Sequence, residues 1–511
     1  MGVHGLIPFV RKACPDAIKS LPGRFKDLPG TRIVIDGTLI TQRLHFAPSP
    51  HRFRHVLGWY RICRELNESN VTAICVFDGK VRHAAKTREV QRRRVAQNLA
   101  VDRGKLEDER ARRLQYVNNF LVSLPTLPQP KVEVALQDLQ KPTDNEFEDA
   151  YQVVSSNASQ KALEEVSSSE PAVQSYLDIP LPRTTSNVDN ILTSLKQSFE
   201  SFRGTITSTA SDVSTHPTST SAATSTEIQQ DDLVLTKAQN QLSVKEKELW
   251  AQVSSLTPSI PRDDRFSYET ALELSTSLLQ ESSVMSDSFK RRTNLPSSDT
   301  YEQSKDLLRA MGVQCVDAPG AVEGEALASS IALRGDADFV VSEDTDVLVY
   351  GAPLIRNITS TTDHLELVSA QDIQSALDLD KATYLDFILL LGTDFSQRIK
   401  NVGPNRALQL IKQHGTIENI LESETKYPPR IPASAYLQEI DIARALFNRL
   451  PANPDLSALP PAVQDSAEVA QVLQRYRLGR YLMGSTHWDH ENAFAGNYFN
   501  DNYFNDCPVA Q

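Results

Sequence analysis

Short apolar runs that end in an acid recur along this chain. Four such runs occur, and the acids that close them are Asp36, Asp78, Asp344 and Asp394. Runs of this length are typical of strands in a parallel sheet or of buried helix ends. Because ligands of open α/β sheets gather at the carboxyl ends of the strands, we expect these acids to converge on one edge of one sheet.

Helical periodicity alternates with these runs. Residues 52–66 have the pattern of an amphipathic helix, and residues 84–120, with one Gly and no Pro, predict a long helix with one polar, basic side. Further along the chain we predict helices at 301–311 and 322–333 and strands at 313–316 and 337–342. The alternation predicts an α/β protein.

The chain between residues 125 and 298 has a different composition. It is rich in Ser, Thr, Pro, Gln and acids, and it contains the low-complexity stretch ITSTASDVSTHPTSTSAATSTE. Such a segment buries too little apolar area to offset its ordering entropy. We predict a long, largely disordered insert, with short helices only at 188–202 and 236–254. Its acidity favours regulation or protein partners, although a surface insertion with no role is at least as reasonable.

These patterns divide the chain into five segments. They are an N-terminal half of an α/β core (1–124), the insert (125–298), an internal half of the core (299–395), a helical hairpin with C-terminal helices (396–485) and a loose tail (486–511).

Charge and cysteine usage add little to this division. The 511 residues carry a formal net charge of −12, which is unexpected for a nucleic-acid binder, but residues 80–113 hold twelve Lys and Arg against five acids. A local basic patch can still attract anionic partners on an acidic chain. The five cysteines have no paired spacing, so we expect no zinc motif or disulfide and a reducing compartment. We also expect no membrane span and no signal or transit peptide.

Three further acids complete a candidate site. Glu323 and Glu325 lie at the start of a predicted helix, and Asp346 follows Asp344 by two residues. Seven carboxylates close together repel one another unless cations neutralise them. Hard divalent cations such as Mg²⁺ prefer oxygen ligands, and two ions roughly 4 Å apart can clamp the attacking and leaving oxygens of a phosphodiester.

The same segments carry a resemblance to a known family. MGVHGL, VFDGK, EGEA, SEDTDVLVYG, LLGTD and NVGPNRALQLIKQHG, in this order, resemble the flap endonuclease and XPG family of structure-specific 5′ nucleases, over roughly residues 1–115 and 300–430. The resemblance implies a PIN-like parallel sheet flanked by helices. It also implies two Mg²⁺ ions, for which Mn²⁺ can substitute, and cleavage of branched or flapped DNA. Nuclear localisation follows from it as well, while a mitochondrial one stays open.

The resemblance also implies roles for individual residues. Asp36, Asp78, Glu325, Asp344 and Asp346 would contact the metals directly or through one water, and Glu323 and Asp394 more often through water. A Lys and an Arg at the base of the long helix would contact the scissile phosphate. Arg92 matches the Arg, whereas Lys86 lies one residue later than the Lys of the family pattern, so Arg82 or Lys80 are alternatives. Gly2, Arg93 and Arg94 would also lie near the DNA.

A second DNA contact is implied by the turn at residues 400–404 and the helix after it. The family usually has Gly where this chain has Asn401, which is the next-best residue for a left-handed backbone. The helix N-terminus presents backbone N–H groups to phosphate. The implied DNA-contacting residues are Lys400, Asn401, Gly403, Arg406 and Lys412. A monovalent cation would bind the 398–402 turn through the carbonyls of Arg398, Ile399 and Val402.

Two departures concern substrate and partners. Gln42 occupies the position where flap endonucleases place an aromatic residue that stacks on the terminal base pair, with His45 and Phe46 one turn further on. We identify no glutamine-initiated clamp-binding box in the last 25 residues.

The function predicted from these residues is an Mg²⁺-dependent, structure-specific 5′ nuclease. The alternatives are a 5′→3′ DNA exonuclease and a DNA-junction binder of the same fold that does not cleave.

Overall fold

Two compact units make up the chain. The structure is a computed structural model that describes residues 2–47, 49, 51–79, 81, 84–140, 145–159, 188–214, 235–256, 265–456, 459 and 463–482. The core unit comprises Met1–Gln91 and Pro296–His490, and the helical unit is built on Arg92–Leu295. Lys80, Arg82 and the predicted tail at 486–511 lie outside the described residues.

Within the described residues, seven strands form one sheet in the core unit. They are β1 (Ile18–Leu21), β2 (Arg32–Asp36), β3 (Thr72–Phe77), β4 (Gln314–Asp317), β5 (Phe339–Val341), β6 (Leu354–Arg356) and β7 (Leu365–Val368).

The sheet is mixed, with the predicted parallel pairing from β6 to β4 and two antiparallel pairs toward the other edge. Its order is β1-β7-β6-β5-β2-β3-β4, and the pairs from β6 to β4 are all parallel. Strand β7 is antiparallel to both β6 and β1. The reason is chain length, because the eight residues between β6 and β7 are too few for the crossover that a parallel pair needs. Strands β3 and β4 extend the sheet on one side of β2, whereas β5 and β6 extend it on the other side. The topological switch point therefore lies between β2 and β5, and ligands of open α/β sheets bind at such a point.

Helices cover both faces of this sheet and build the helical unit. The first nine are α1 (Leu6–Ala13), α2 (Gly37–Phe46), α3 (Arg54–Glu68), α4 (Thr87–Ser123), α5 (Gln129–Leu139), α6 (Asn145–Ser159), α7 (Val188–Ser214), α8 (Lys237–Ser255) and α9 (Arg265–Thr293). The others are α10 (Ser298–Ala310), α11 (Gly324–Leu333), α12 (Asp346–Tyr350), α13 (Ala370–Leu377), α14 (Lys381–Leu391), α15 (Pro404–His414), α16 (Ile417–Ser423), α17 (Ala433–Asn448) and α18 (Ser466–Arg475). No helix in the described ranges is long and apolar enough to cross a membrane.

The apolar run of β2 is continuous because both faces of the sheet are buried. Val34 packs into the layer formed by α1 and α11 to α17, whereas Ile33 and Ile35 pack against α2, α3, α10 and α18. Alternate residues of a strand point to opposite faces, so a central strand covered on both sides must be apolar throughout. The run that leads to Asp394 is instead the end of helix α14, one of the two structures its pattern allowed.

The described part of residues 125–298 is helical, which corrects the expectation of a largely disordered insert. Helices α5 to α9 and the second half of α4 share one apolar core, in which Phe120, Leu136, Phe202 and Trp250 are almost completely buried. The expected helices at 188–202 and 236–254 are present and longer. The helical unit begins at Arg92 rather than after residue 124, since the end of α4 belongs to its core.

The Ser and Thr content of this segment did not prevent helix formation. The hydroxyls of Thr193, Ser198 and Thr205 each donate to the carbonyl four residues earlier, at 2.7, 2.7 and 2.8 Å. Such back-bonding satisfies the hydroxyls within the helix at a small cost. The apolar residues between them then decide the fold, because at helical spacing they form one buried stripe.

A buried ion network joins α4 to α8 inside the helical unit. Glu246 on α8 accepts from Arg110 at 3.1 Å and from Arg113 at 3.0 Å, and Arg110 also donates to Glu107 at 2.8 Å. All four side chains are at most 5% exposed. Removing one partner from such a network leaves an uncompensated buried charge, which is costly.

We therefore expect Glu246→Gln to lower the free energy of unfolding of the helical unit by roughly 3 kcal/mol or more. Glu281→Gln is the matched control, because Glu281 pairs with Lys245 at the surface, and it should cost less than about 1 kcal/mol. Urea denaturation of the full chain, followed by circular dichroism, measures both. Equal losses in the two variants would contradict the proposed importance of this network.

Candidate active site

Asp36 is both the last residue of β2 and the N-cap of α2. Its Oδ1 accepts from the backbone N–H of Leu39 at 3.0 Å, and its Oδ2 accepts from the hydroxyl of Ser342 at 3.0 Å. Burial and the charge of Asp78 raise the pKa of Asp36 to about 7, against the lowering effect of these two hydrogen bonds. The strand therefore ends in a fixed carboxylate whose charge costs energy in the absence of a cation.

Asp78 follows β3 and lies beside the N-terminus of α11. Its N–H donates to Thr38 Oγ1 at 2.8 Å, and its Oδ1 accepts from the N–H of Gly324 at 2.8 Å. A Cβ on Gly324 would lie 3.1 Å from Asp78 Oδ1 and 3.6 Å from Asp36 Oδ1. A side chain at residue 324 would crowd the Asp78 carboxylate, so glycine favours the close approach of this helix end. It also brings Glu323, the N-cap, and Glu325, in the first turn, to the same place.

The segment after β5 carries two more acids. The N–H of Asp344 donates to Ser342 Oγ at 3.0 Å, and the N–H of Asp346 donates to Asp344 Oδ1 at 2.9 Å. Ser342 therefore connects the acid of β2 to those after β5. Asp346 is fully buried, and neither of its carboxylate oxygens receives a hydrogen bond from the residues described. Buried acceptors of this kind are expected to face a cation or water.

The N-terminal residues close the site next to Asp344. The N–H of Val3 donates to Thr345 Oγ1 at 2.8 Å in a buried position. Gly2 has φ +79°, and a Cβ there would lie 2.2 Å from Asp344 Oδ1. Only glycine fits, since both the backbone conformation and the space exclude a side chain. The structure thus places Gly2 against a candidate metal ligand.

Lys86 lies among the acids. Its Nζ is 2.5 Å from Glu323 Oε1, 3.2 Å from Asp394 Oδ2 and 3.6 Å from Glu325 Oε1. Burial alone would lower the pKa of Lys86, but the surrounding carboxylates outweigh it and raise the pKa above its usual value. Of the three candidates for the active-site lysine, Lys86 is the one that the structure describes, and it reaches the site.

One lysine does not neutralise the cluster. Burial raises the pKa of Glu323 and Asp344, and it raises the pKa of Glu325 and Asp346 well above the usual range, with neighbouring carboxylates adding to the last two. In their present positions, no three His, Cys, Asp or Glu side chains of the described ranges are arranged to hold one metal ion. Lys86 itself contacts three of the acids, so metal binding requires these side chains to rearrange. The surplus of buried acceptors fits hard cations.

The predicted basic residues lie in two other places. Arg92, Arg93 and Arg94 are exposed on α4, in the helical unit. Lys400 and Lys412 are exposed at the turn before α15 and near the end of this helix.

The turn before α15 has the predicted backbone. Asn401 has φ +64°, which confirms that Asn adopts the left-handed conformation here. Gly403 is the N-cap of α15. Arg406 folds back, donating to the carbonyl of Asn401 and lying over the ring of Tyr427, 5.1 Å from its centroid. In the turn, the carbonyl of Ile399 accepts from Val402 N–H at 3.3 Å, and that of Val402 accepts from Arg398 Nε at 3.5 Å. A monovalent cation would compete with these donors.

Several residues that shape the site were not predicted from the sequence. The hydroxyl groups of Thr38, Ser342 and Thr345 make hydrogen bonds that hold the segments around the acids. Their positions in the sequence follow no pattern that would distinguish them from other small polar residues. Gln42 donates to the hydroxyl of Tyr301 at 3.0 Å. Its side chain is therefore engaged by α10, at the position where the resemblance led us to expect an aromatic residue.

The protein has an α/β fold. Carboxylates at the ends of β2, β3 and β5 form an acidic site in it, together with a buried lysine. The family model of the XPG I-region matches residues 312–394, which include five of the seven acids. Flap endonuclease 1 of Haloquadratum walsbyi is 31% identical over 229 residues, covering 42% of this chain and 67% of the relative.

Two further similarities cover most of the chain. An uncharacterised protein of Schizosaccharomyces pombe is 24% identical over 482 residues, or 89% of this chain and 88% of that protein. The structure of flap endonuclease-1 from Methanococcus jannaschii aligns over 91% of this chain and 94% of that one, with 17% identity and a TM-score of 0.42.

The chain belongs to the flap endonuclease and XPG family of structure-specific nucleases. The family resemblance and the α/β fold predicted with it are thereby confirmed.

The Val3–Thr345 hydrogen bond yields a prediction about the N-terminus. Thr345→Val preserves the shape but leaves the N–H of Val3 buried without its acceptor, which costs about 1–3 kcal/mol. We expect a lower unfolding temperature or faster hydrogen exchange at residues 2–6, whereas Thr345→Ser, which retains the hydroxyl, should resemble the wild type. Identical behaviour of the Val and Ser variants would rule out a structural role for the hydroxyl.

Proposed function

We propose that this protein is a divalent-metal-dependent 5′ nuclease that cleaves branched or flapped DNA, in repair or replication. The observation that carries the proposal is the convergence of Asp36, Asp78 and Asp344 at the carboxyl ends of neighbouring strands, in a site with one buried lysine. Membership of a nuclease family supports the reaction class. The DNA structure that is cut, the metal requirement and a nuclear location are parts of the proposal.

The acids would hold two Mg²⁺ ions, with Mn²⁺ as a substitute. Asp36, Asp78, Glu325, Asp344 and Asp346 would bind directly or through one water, and Glu323 and Asp394 through water. When bound, such ions activate water and stabilise the leaving oxygen of a phosphodiester. Hydrogen bonds prepare part of this site: Ser342 holds Asp36 and the Asp344 backbone, and Gly324 N–H holds Asp78. Lys86 and the acids that it contacts would rearrange when a cation binds.

Two basic regions would hold the DNA at different distances from the acids. Lys86 is close enough to the carboxylates to approach a phosphate there, and we propose that Arg92, six residues later, assists it. The turn at 400–403 and the first N–H groups of α15 would bind the phosphates of a duplex. Exposed Lys400 and Lys412 extend this surface.

The central test compares labelled flap, gapped, nicked and four-way-junction DNA, with Mg²⁺ and with EDTA. Internal cuts near a junction support the proposal, and release of single nucleotides from a 5′ end favours the exonuclease alternative. Tight junction binding without any cleavage in Mg²⁺ or Mn²⁺ favours the non-cleaving binder.

We expect Asp344→Asn to lower the cleavage rate by about 10³-fold or more, because the loss of a metal ligand removes several kcal/mol of transition-state stabilisation. DNA binding should be equal or tighter, since a negative charge facing phosphate is removed. Asp363→Asn, at an exposed acid outside the site motifs, is the control and should be fully active. Activity of Asp344→Asn within about tenfold of wild type would refute the site assignment.

The two basic regions should respond differently to mutation. Arg92→Ala should lower the single-turnover rate more than DNA affinity, as expected for a contact made in the transition state. Lys400→Ala with Lys412→Ala should weaken binding to every duplex-containing substrate and reduce the salt dependence by about one unit of slope per lost phosphate contact. Its single-turnover rate at saturating enzyme should stay near normal. Normal DNA binding by this double variant would contradict the division of roles.

A further inference from the structure

A second basic side chain, outside the acid cluster, holds the start of α4. Arg88, two residues after Lys86, makes a bidentate pair with Glu439 on α17, with distances of 2.9 Å from Nη1 to Oε2 and 2.5 Å from Nη2 to Oε1. The planar guanidinium matches a carboxylate in this geometry, which fixes orientation as well as distance. The first turn of α4 is thereby tied to α17.

The same carboxylate also contacts the segment that carries Asp394. Gln397 donates from Nε2 to Glu439 Oε2 at 3.3 Å. Two parallel links therefore join residues 86–88 to residues 394–397. One is the ion pair of Lys86 with Asp394 at 3.2 Å, and the other runs from Arg88 through Glu439 to Gln397. The first link lies in the candidate active site, whereas the second lies outside it.

We propose that Glu439 is a positioning residue, which holds the base of α4 through Arg88 so that Lys86 remains among the carboxylates. The proposal rests on the proposed nuclease function for its catalytic consequence, but not for the contact itself. Nothing in the XPG I-region match, which ends at residue 394, includes this glutamate. The Lys86 ammonium is a point charge on a flexible stem, so it constrains the backbone direction less than the planar guanidinium of Arg88 does.

The exposure of the pair makes this anchor adjustable. The Arg88 side chain is 58% exposed and that of Glu439 is 21% exposed. A partly exposed ion pair is weak and is screened by salt, so it contributes little to the stability of the whole fold. It can nevertheless decide the position of one helix turn. A loss at Glu439 should therefore release α4 locally without unfolding the core unit.

The test uses the full chain and charge reversal. Glu439→Arg and Arg88→Glu each place like charges opposite one another, and the double variant Arg88→Glu/Glu439→Arg restores the pair with its polarity reversed. Glu468→Arg, at an exposed carboxylate on α18, controls for the change in net charge. The first measurement is amide hydrogen exchange of residues 84–91 without DNA or metal. The second is single-turnover cleavage of flap DNA at saturating enzyme with Mg²⁺.

We expect each single reversal to raise exchange at 84–91 and to lower the single-turnover rate by about fivefold or more, with DNA affinity nearly unchanged. The double reversal should restore both measurements at least partly, and Glu468→Arg should change neither. High salt should raise exchange at 84–91 in the wild type but not further in Glu439→Arg.

Unchanged exchange in both single variants would overturn the proposed anchor. Raised exchange with an unchanged rate would overturn its role in positioning Lys86. A failure of the nuclease function itself is distinguishable, because the wild type would then cleave no DNA while the exchange measurement still decides whether Glu439 holds α4.

Discussion

Electrostatic repulsion among buried carboxylates is the constraint on which the rest of this structure depends. Acids from the ends of β2, β3 and β5 and from the start of α11 lie in one site, and Asp346 receives no hydrogen bond from the described residues. Like charges at these distances oppose one another's ionisation. The site persists because a rigid sheet positions the strand ends, and because Lys86 contributes one positive charge inside the cluster.

Small hydroxyl side chains on several elements hold the acidic segments in place by hydrogen bonds. Ser342 connects Asp36 to the Asp344 segment, Thr38 holds the backbone at Asp78, and Thr345 holds the N-terminal residues. Each bond is modest by itself, at about 1 kcal/mol, but together they hold in place the segments that carry the acids.

Helix α4 is held by different kinds of electrostatic contact along its length. Its first turn is anchored in the core unit by the exposed pair of Arg88 and Glu439. Its later turns belong to the helical unit, where Arg110 and Arg113 are buried with Glu246. The exposed pair can open at little cost, whereas the buried network cannot lose a member without a large penalty. The helical unit is therefore firmly built, while the base of α4 near the acids is held by an adjustable contact.

The amino-acid sequence by itself determined the α/β class, the acids and the order of the elements. Asp36 and Asp78 were predictable because continuous apolar runs predict strands buried on both faces, and ligands gather at the carboxyl ends of such strands. The backbone at Asn401 was predictable because few residues tolerate a left-handed conformation. Tertiary structure alone decided three matters. The reversal of β7 depends on pairing between distant segments. The helical structure of the insert depends on the apolar stripes of several helices. Each stripe buries little area alone, and the stripes form a core only when the helices pack together. The lysine that enters the site, and the glutamate that anchors its helix, depend on contacts between residues far apart in sequence, which no local spacing encodes.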